Sequence, residues 1–160
     1  MDNLVLRKIE VSDKKYFSKW WRDQELVTLT SGASKPISDR QVDKYFLAML
    51  ASKQEYHFMV LAEKKVIGHV SLARRASHWQ ETQIVIGEKE YWDQGFGTRG
   101  VQLLLKKAKR LGMRKMYLEV RPTNARAIAA YAKCGFVAVG IKGYPKNKYL
   151  PETLRMELTY

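Results

Sequence analysis

The hydrophobic and polar positions of residues 4–9 fall on two sides, Leu4, Leu6 and Lys8 against Val5, Arg7 and Ile9, and read as a first β-strand. The rhythm then changes. Tyr16, Phe17, Trp20 and Trp21 recur at helical spacing behind Ser12, which can cap a helix. Ser38-Asp-Arg-Gln41 fits a capping box, with Ile37 and Val42 placed for a hydrophobic staple, and Val42, Tyr45, Phe46, Met49 and Leu50 continue as one apolar stripe. Residues 56–62 and 66–72 read as two strands joined through Glu63-Lys64-Lys65 into a hairpin. A third run, 82–87, leads into Glu88-Lys-Glu-Tyr-Trp-Asp-Gln-Gly-Phe-Gly97 and a helix with Val101, Leu104, Leu105, Ala108 and Leu111 on one face, stopped at Gly112. A strand at 116–120, a helix at 124–133 closed by Gly135, and strands at 136–141 and 154–159 complete the pattern. The predicted order is β-α-α-β-β-β-α-β-α-β-β, an α/β fold around one mixed sheet. No repeat, low-complexity tract or Pro/Gly/Ser linker divides the chain, so residues 1–160 read as one domain.

Composition adds three constraints. No apolar run approaches the ~20 residues that span a bilayer, and the start of the chain lacks a secretory pattern, so no membrane partner is expected. One cysteine, Cys134, excludes an internal disulfide and fits a reducing, cytoplasmic setting. Twenty-nine Lys and Arg against sixteen Asp and Glu leave a net charge of +13, which attracts nucleic acid, acidic surfaces or phosphorylated ligands. Lys106, Lys107, Lys109 and Arg110 crowd the end of one helix, where cations suit the dipole; they read as a solvated face or as a polyanion or RNA contact. His57, His69 and His78 lack metal-ligand spacing, and no metal is expected.

Candidate chemistry begins at Gln94-Gly95-Phe96-Gly97-Thr98, between a strand and an amphipathic helix. Glycines there permit a tight turn and leave helix N-terminal amides uncovered for a pyrophosphate. The third glycine and downstream acid of a dinucleotide fingerprint are absent, as is the lysine of an ATP-binding loop. After the next strand comes Asn124-Ala-Arg-Ala-Ile-Ala-Ala-Tyr131-Ala-Lys-Cys-Gly135-Phe136. Taken together, residues 81–97 and 124–136 resemble the acetyl-CoA signature of the GNAT superfamily of N-acetyltransferases, and the element order of the whole chain agrees. Trp20-Trp-Arg-Asp23, Ile67-Gly-His-Val-Ser71 and Tyr91-Trp-Asp-Gln-Gly-Phe-Gly97 are similar to its branch of ribosomal-protein N-terminal and spermidine acetyltransferases. Trp92 departs from the pattern, standing where the family's loop begins with Gln or Arg.

The resemblance implies transfer of acetyl from acetyl-CoA to a primary amine by a monomer or homodimer. It implies cofactor contacts from Ile84, Val85, Ile86, Gln94, Gly95, Phe96, Gly97, Thr98, Asn124, Ala127 and Tyr131. Tyr131 matches the family's acid for the departing thiolate, the alternative being an aromatic that packs its helix on the sheet. An ammonium of pKa around 10 must lose a proton before it attacks, and Glu81 matches the family's base, with His78 as a nearby alternative. Backbone amides around Val85 and Ile86 would hold the thioester oxygen where the family's strand splays. The acceptor pocket would be walled by Trp20, Trp21, Asp23, the connection 28–35 and residues 144–149; the tryptophans serve there as cation–π partners or simply as core. A second reading is a silent copy of the fold that binds acetyl-CoA or RNA through its basic face.

Overall fold

The structure is a computed structural model and describes residues 3–30 and 37–160. Its strands are β1 (Leu4–Lys8), β2 (Glu55–Ala62), β3 (Lys65–Arg74), β4 (Trp79–Ile86), β5 (Lys115–Val120), β6 (Val137–Gly143) and β7 (Glu152–Thr159). Its helices are α1 (Lys14–Trp21), α2 (Gln24–Thr30), α3 (Asp39–Ala51), α4 (Phe96–Arg110) and α5 (Ala125–Lys133). The strands form one sheet in the order β1-β2-β3-β4-β5-β7-β6, antiparallel except where β4 meets β5. The predicted α/β class stands, with α2 added to the predicted order. Pattern could not announce α2, because Leu26 is its only buried residue and seven residues make too short a stripe.

Two apolar cores lie on opposite faces of the sheet. On one, Val101, Leu104, Leu105 and Ala108 of α4 pack on Val60, Ile67, Val70, Leu72, Met116 and Leu118. On the other, Phe17 and Trp20 of α1, Leu26 of α2 and Phe46 of α3 pack on Met59 and Val66. Alternation along the strands sorts side chains between the α4–α5 face and the α1–α3 face, with one register shift opposite Val60 and Leu61 that brings Ile67 to the same face as Val70 and Leu72.

Local signals mostly behave as their chemistry requires. Ser38 caps α3 by accepting the Gln41 N–H at 3.2 Å, and the Gln41 side chain accepts the Ser38 N–H at 3.0 Å. The β2–β3 turn uses only Glu63 and Lys64, both at positive φ, as a two-residue hairpin turn demands, and Lys65 already belongs to β3. Ser12 does not cap α1. A 3-10 turn over Val11–Asp13 precedes the helix, and Asp13 governs the entry instead. Its carboxylate is 1 % exposed, accepts the Glu10 N–H at 2.7 Å, and takes both Arg7 guanidinium nitrogens at 2.8 and 3.0 Å. On the same face His57 Nδ1 and His69 Nε2 stand 2.9 Å apart, and His57 Nε2 meets Glu55 at 2.8 Å. Burial, then the neighbouring His57, push His69 down to about 3, so it stays neutral and packs edge-on to Phe17.

The bidentate pair makes Asp13 the pin between β1 and α1. Asp13→Ala should cost about 2 kcal/mol, since Arg7 loses its bidentate partner and keeps only Glu10, at 3.3 Å, as a charged partner among the described residues. Thermal unfolding should fall by roughly 5 °C; an unchanged midpoint would remove Asp13 from that role.

Candidate active site

The site starts from a break in pairing. β4 and β5 run parallel and pair only at Trp79 with Lys115, Gln80 with Met116 and Glu81 with Tyr117. Beyond Glu81, β4 stays with β3 as far as Ile86, while β5 stays with β7 as far as Val120. The two strands thus diverge and open a wedge through the sheet. Gly87 N–H donates to Ile67 O at 2.9 Å, so by antiparallel alternation the amides of Ile84 and Ile86 turn toward the wedge and that of Val85 toward β3. A cavity of about 510 Å³ occupies the wedge and reaches both faces, from Leu26 and Leu29 of α2 to Tyr131 of α5.

On the α4–α5 face the cavity ends at the start of α4. Gly95 sits at φ +82, a conformation that turns the chain into the helix at little cost only for glycine. The first internal acceptor bond is made by Arg99 N–H to Gly95 O, which leaves the N–H groups of Phe96, Gly97 and Thr98 for an outside partner. Nothing in the fold needs Gly97 to lack a side chain: an added Cβ would meet only Ile86, at 3.9 Å. Such a Cβ would lean toward the helix N-terminus, over the open amides. Trp92 replaces the expected polar side chain with an anchor. Its indole N–H donates to Ile86 O at 2.8 Å, and Arg126 stacks over its ring at 4.7 Å while pairing with Asp93 at 3.1 Å.

α5 supplies the second wall. Asn124 caps it by accepting the Ala127 N–H at 3.2 Å, and both residues line the cavity. Tyr131 lines it from the next turn, packed edge-on to Phe136, and burial pushes its phenol up to about 12. Cys134, held at Thr98 O, has its thiol raised by burial, which disfavours a nucleophilic thiolate.

On the α1–α3 face the wedge is acidic. Glu81 and Glu119, on strands that have begun to part, both point here. Glu81 Oε2 takes the Arg75 guanidinium at 2.8 Å and Tyr117 OH at 3.4 Å. Glu119 Oε1 accepts Tyr144 OH at 2.6 Å and Thr153 Oγ1 at 2.7 Å. Burial first, then the hydrogen bond to Glu119, push the Tyr144 phenol up to about 12. Arg121 donates to Tyr149 O at 2.9 Å, so the β6–β7 loop is tied twice to β5.

Of the residues expected at the site, Glu81, Ile84, Val85, Ile86, Gly95, Phe96, Gly97, Thr98, Asn124, Ala127 and Tyr131 all line this cavity. Three do not. Gln94 folds back onto Glu90 O. Trp20 is 3 % exposed, stacked against Gly87 where any Cβ would strike its ring, with its indole N–H on Glu88 at 3.1 Å. Asp23 accepts the Leu26 N–H at the start of α2 and pairs with Lys89 at 3.0 Å. Of the two readings left open for Trp20, core is the one the structure takes, and a carboxylate one residue before a helix is a cap before it is a ligand. Of the expected connection, residues 28–30 are the end of α2, with Leu29 and Thr30 on the cavity wall; 31–35 lie outside the described residues. His78 is exposed at positive φ before β4 and off the cavity. The basic run of α4 ends that helix at the opposite end from the open amides. Glu119 escaped notice because residues 116–120 read simply as a strand.

The splayed α/β sheet and the uncapped helix start together shape one cavity open to both faces of the sheet. The chain belongs to the acetyltransferase (GNAT) domain family, whose pattern matches residues 3–137. Solved structures share the fold. Spermidine N-acetyltransferase from Vibrio cholerae, in complex with CoA and spermine, is similar with a TM-score of 0.84 at 24% identity, covering 98% of this chain and 95% of that one. The aminoglycoside acetyltransferase AAC(6')-Ib with ribostamycin and coenzyme A gives 0.85 at 19% identity, covering 99% and 94%. A domain from Methanocaldococcus jannaschii gives 0.84 at 18% identity over the whole of both chains.

The residues present fit acetyl-CoA, the co-substrate that the family resemblance implies. The amides at the start of α4 suit a pyrophosphate, and Thr82 Oγ1, buried on the cavity wall without a protein partner, can meet a polar atom of the donor. Among the described residues no group of His, Cys, Asp and Glu is arranged to hold a metal ion, and no helix is long and apolar enough to cross a membrane. Gly97→Ala should leave the thermal midpoint unchanged or slightly raised, since alanine favours the helix. Calorimetry should nevertheless find acetyl-CoA affinity weakened at least about tenfold, a loss near 1.4 kcal/mol; full affinity would place the phosphates elsewhere.

Proposed function

We propose that this protein is an acetyl-CoA-dependent N-acetyltransferase that moves acetyl directly onto a primary amine within a ternary complex. The observation that carries the reading is the wedge between β4 and β5, which brings Tyr131 from one face and Glu81 from the other to a single cavity. The acceptor enters from the α1–α3 face as an ammonium and must shed one proton to expose its lone pair. Glu81 receives that proton, directly or through a water; Arg75 occupies its Oε2, and Oε1 has no partner among the described residues. The nitrogen then bonds to the thioester carbon while the amides of Ile84 and Ile86 hold the carbonyl oxygen. As the carbon–sulfur bond breaks, the thiolate takes the Tyr131 hydroxyl proton. The surplus proton on the new amide nitrogen passes through water to the Tyr131 phenolate, and Glu81 returns the proton it took to solvent, so both groups end as they began.

Tyr131 suits that task because of its burial. With its phenol raised to about 12, the folded protein keeps the proton on oxygen across the neutral range. The raised value places any loss of the neutral donor above pH ~10. A single half-buried cysteine supports a reducing, cytoplasmic setting.

Tyr131→Phe tests the acid. CoA release with a panel of amines should lose roughly 100-fold or more in kcat, while acetyl-CoA still binds by calorimetry. In the unsubstituted protein the rate should not fall between pH 8 and 10 through Tyr131. An unaltered kcat in the variant would remove Tyr131 as the proton donor.

A further inference from the structure

The two carboxylates on the acceptor face are not equivalent, and the difference bears on what the cavity accepts. Each of three cavity-wall acids is accounted for differently. Asp93 is paired with Arg126 at 3.1 Å. Glu81 is paired with Arg75 at 2.8 Å. Glu119 makes no ion pair among the described residues; its partners, the hydroxyls of Tyr144 and Thr153, are neutral and both bind Oε1. The other carboxylates near the acceptor face, Asp23 and Glu25 at the start of α2, are both engaged by Lys89, at 3.0 and 2.7 Å. Residues 31–36 contain neither Asp nor Glu.

We propose that Glu119 forms the seat for the acceptor's ammonium, and that the cavity takes amines carrying a single positive charge rather than polycations. This rests on the transferase reading above. Tyr144 and Thr153 both bind Oε1 of Glu119 from the β6–β7 side, so Oε2 has no hydrogen-bond partner among the described residues, and on this cavity-wall residue one N–H of an ammonium can donate to it. An ammonium brought to Glu81 instead would approach the Arg75 guanidinium that already holds that carboxylate. A second ammonium on the same molecule finds no further carboxylate on the wall, among the described residues, that lacks a cationic partner, and it meets the field of a chain of net charge +13. The inference separates this site from the polycationic ligands bound in the similar structures. Its acceptors are amines whose remainder is neutral or acidic.

The test is CoA release measured with a neutral-side-chain peptide bearing a free N-terminus and with tyramine, against spermine and kanamycin. The monoamines should exceed the polycations in kcat/KM by roughly tenfold or more. Glu119→Gln keeps an acceptor for both hydroxyls and removes only the charge. It should raise the monoamine KM by roughly 10- to 100-fold, with a smaller change in kcat and an unchanged thermal midpoint. Glu119→Asp should restore part of the loss. An unaltered KM in Glu119→Gln, or spermine as the better acceptor, would overturn the proposal. If acetyl-CoA binds but no amine in the panel releases CoA, the transferase reading itself fails, and this inference with it.

Discussion

The rest of the site depends on two parallel strands that stop pairing after three residues. β4 and β5 are each secured on the far side, β4 by seven register pairs with β3 and β5 by six with β7. The sheet can therefore open between them without losing either strand. Opening has a cost, since backbone groups that would have met across the ladder are left exposed. A fold retains such a gap only where something else supplies the partners, and here the gap leads to further open donors, the amides at the start of α4. Backbone geometry thus selects a ligand with polar atoms spaced along an extended chain before any side chain contributes.

Strand alternation then divides the labour. Odd positions of β4 and β5 place Glu81, Tyr117 and Glu119 on the α1–α3 face; even positions place Thr82, Ile84 and Leu118 on the α4–α5 face with Tyr131. In the proposed reaction the acidic side would receive a cation, while the apolar side shelters a phenol that keeps its proton. Burial is the shared cause of the raised Tyr131 and Cys134 values, but the consequences differ: a protonated phenol is a ready donor, whereas a protonated thiol is an inert wall. Among the described residues the Cys134 thiol is hydrogen-bonded to Thr98 O and to no activating base, in keeping with the proposed direct transfer.

Much of this was legible in the chain because the signals are local. Gly95 needed positive φ, Ser38 and Gln41 formed their box, Asn124 capped its helix, and Tyr131 sat at family spacing from it. Errors arose where a role depends on a partner distant in sequence. Trp20 and Asp23 were expected to hold an acceptor, but Gly87 presses on the indole and Lys89 claims the carboxylate, both more than sixty residues away. Glu119 gave no local signal at all. It becomes distinctive only when Tyr144 and Thr153 return from the last hairpin and when Arg75 is seen to neutralise Glu81. Helix α2 stayed hidden for a related reason, burying a single leucine against α1 and the sheet.

The central claim is that donor and acceptor meet through the wedge and that acetyl passes between them without resting on the protein. Initial rates of CoA release, with acetyl-CoA varied at several fixed concentrations of one accepted amine, test it directly. Intersecting double-reciprocal lines, with no CoA released before amine is added, are the predicted result. Parallel lines, with a stoichiometric burst of CoA and an acetylated protein in the absence of amine, would contradict it.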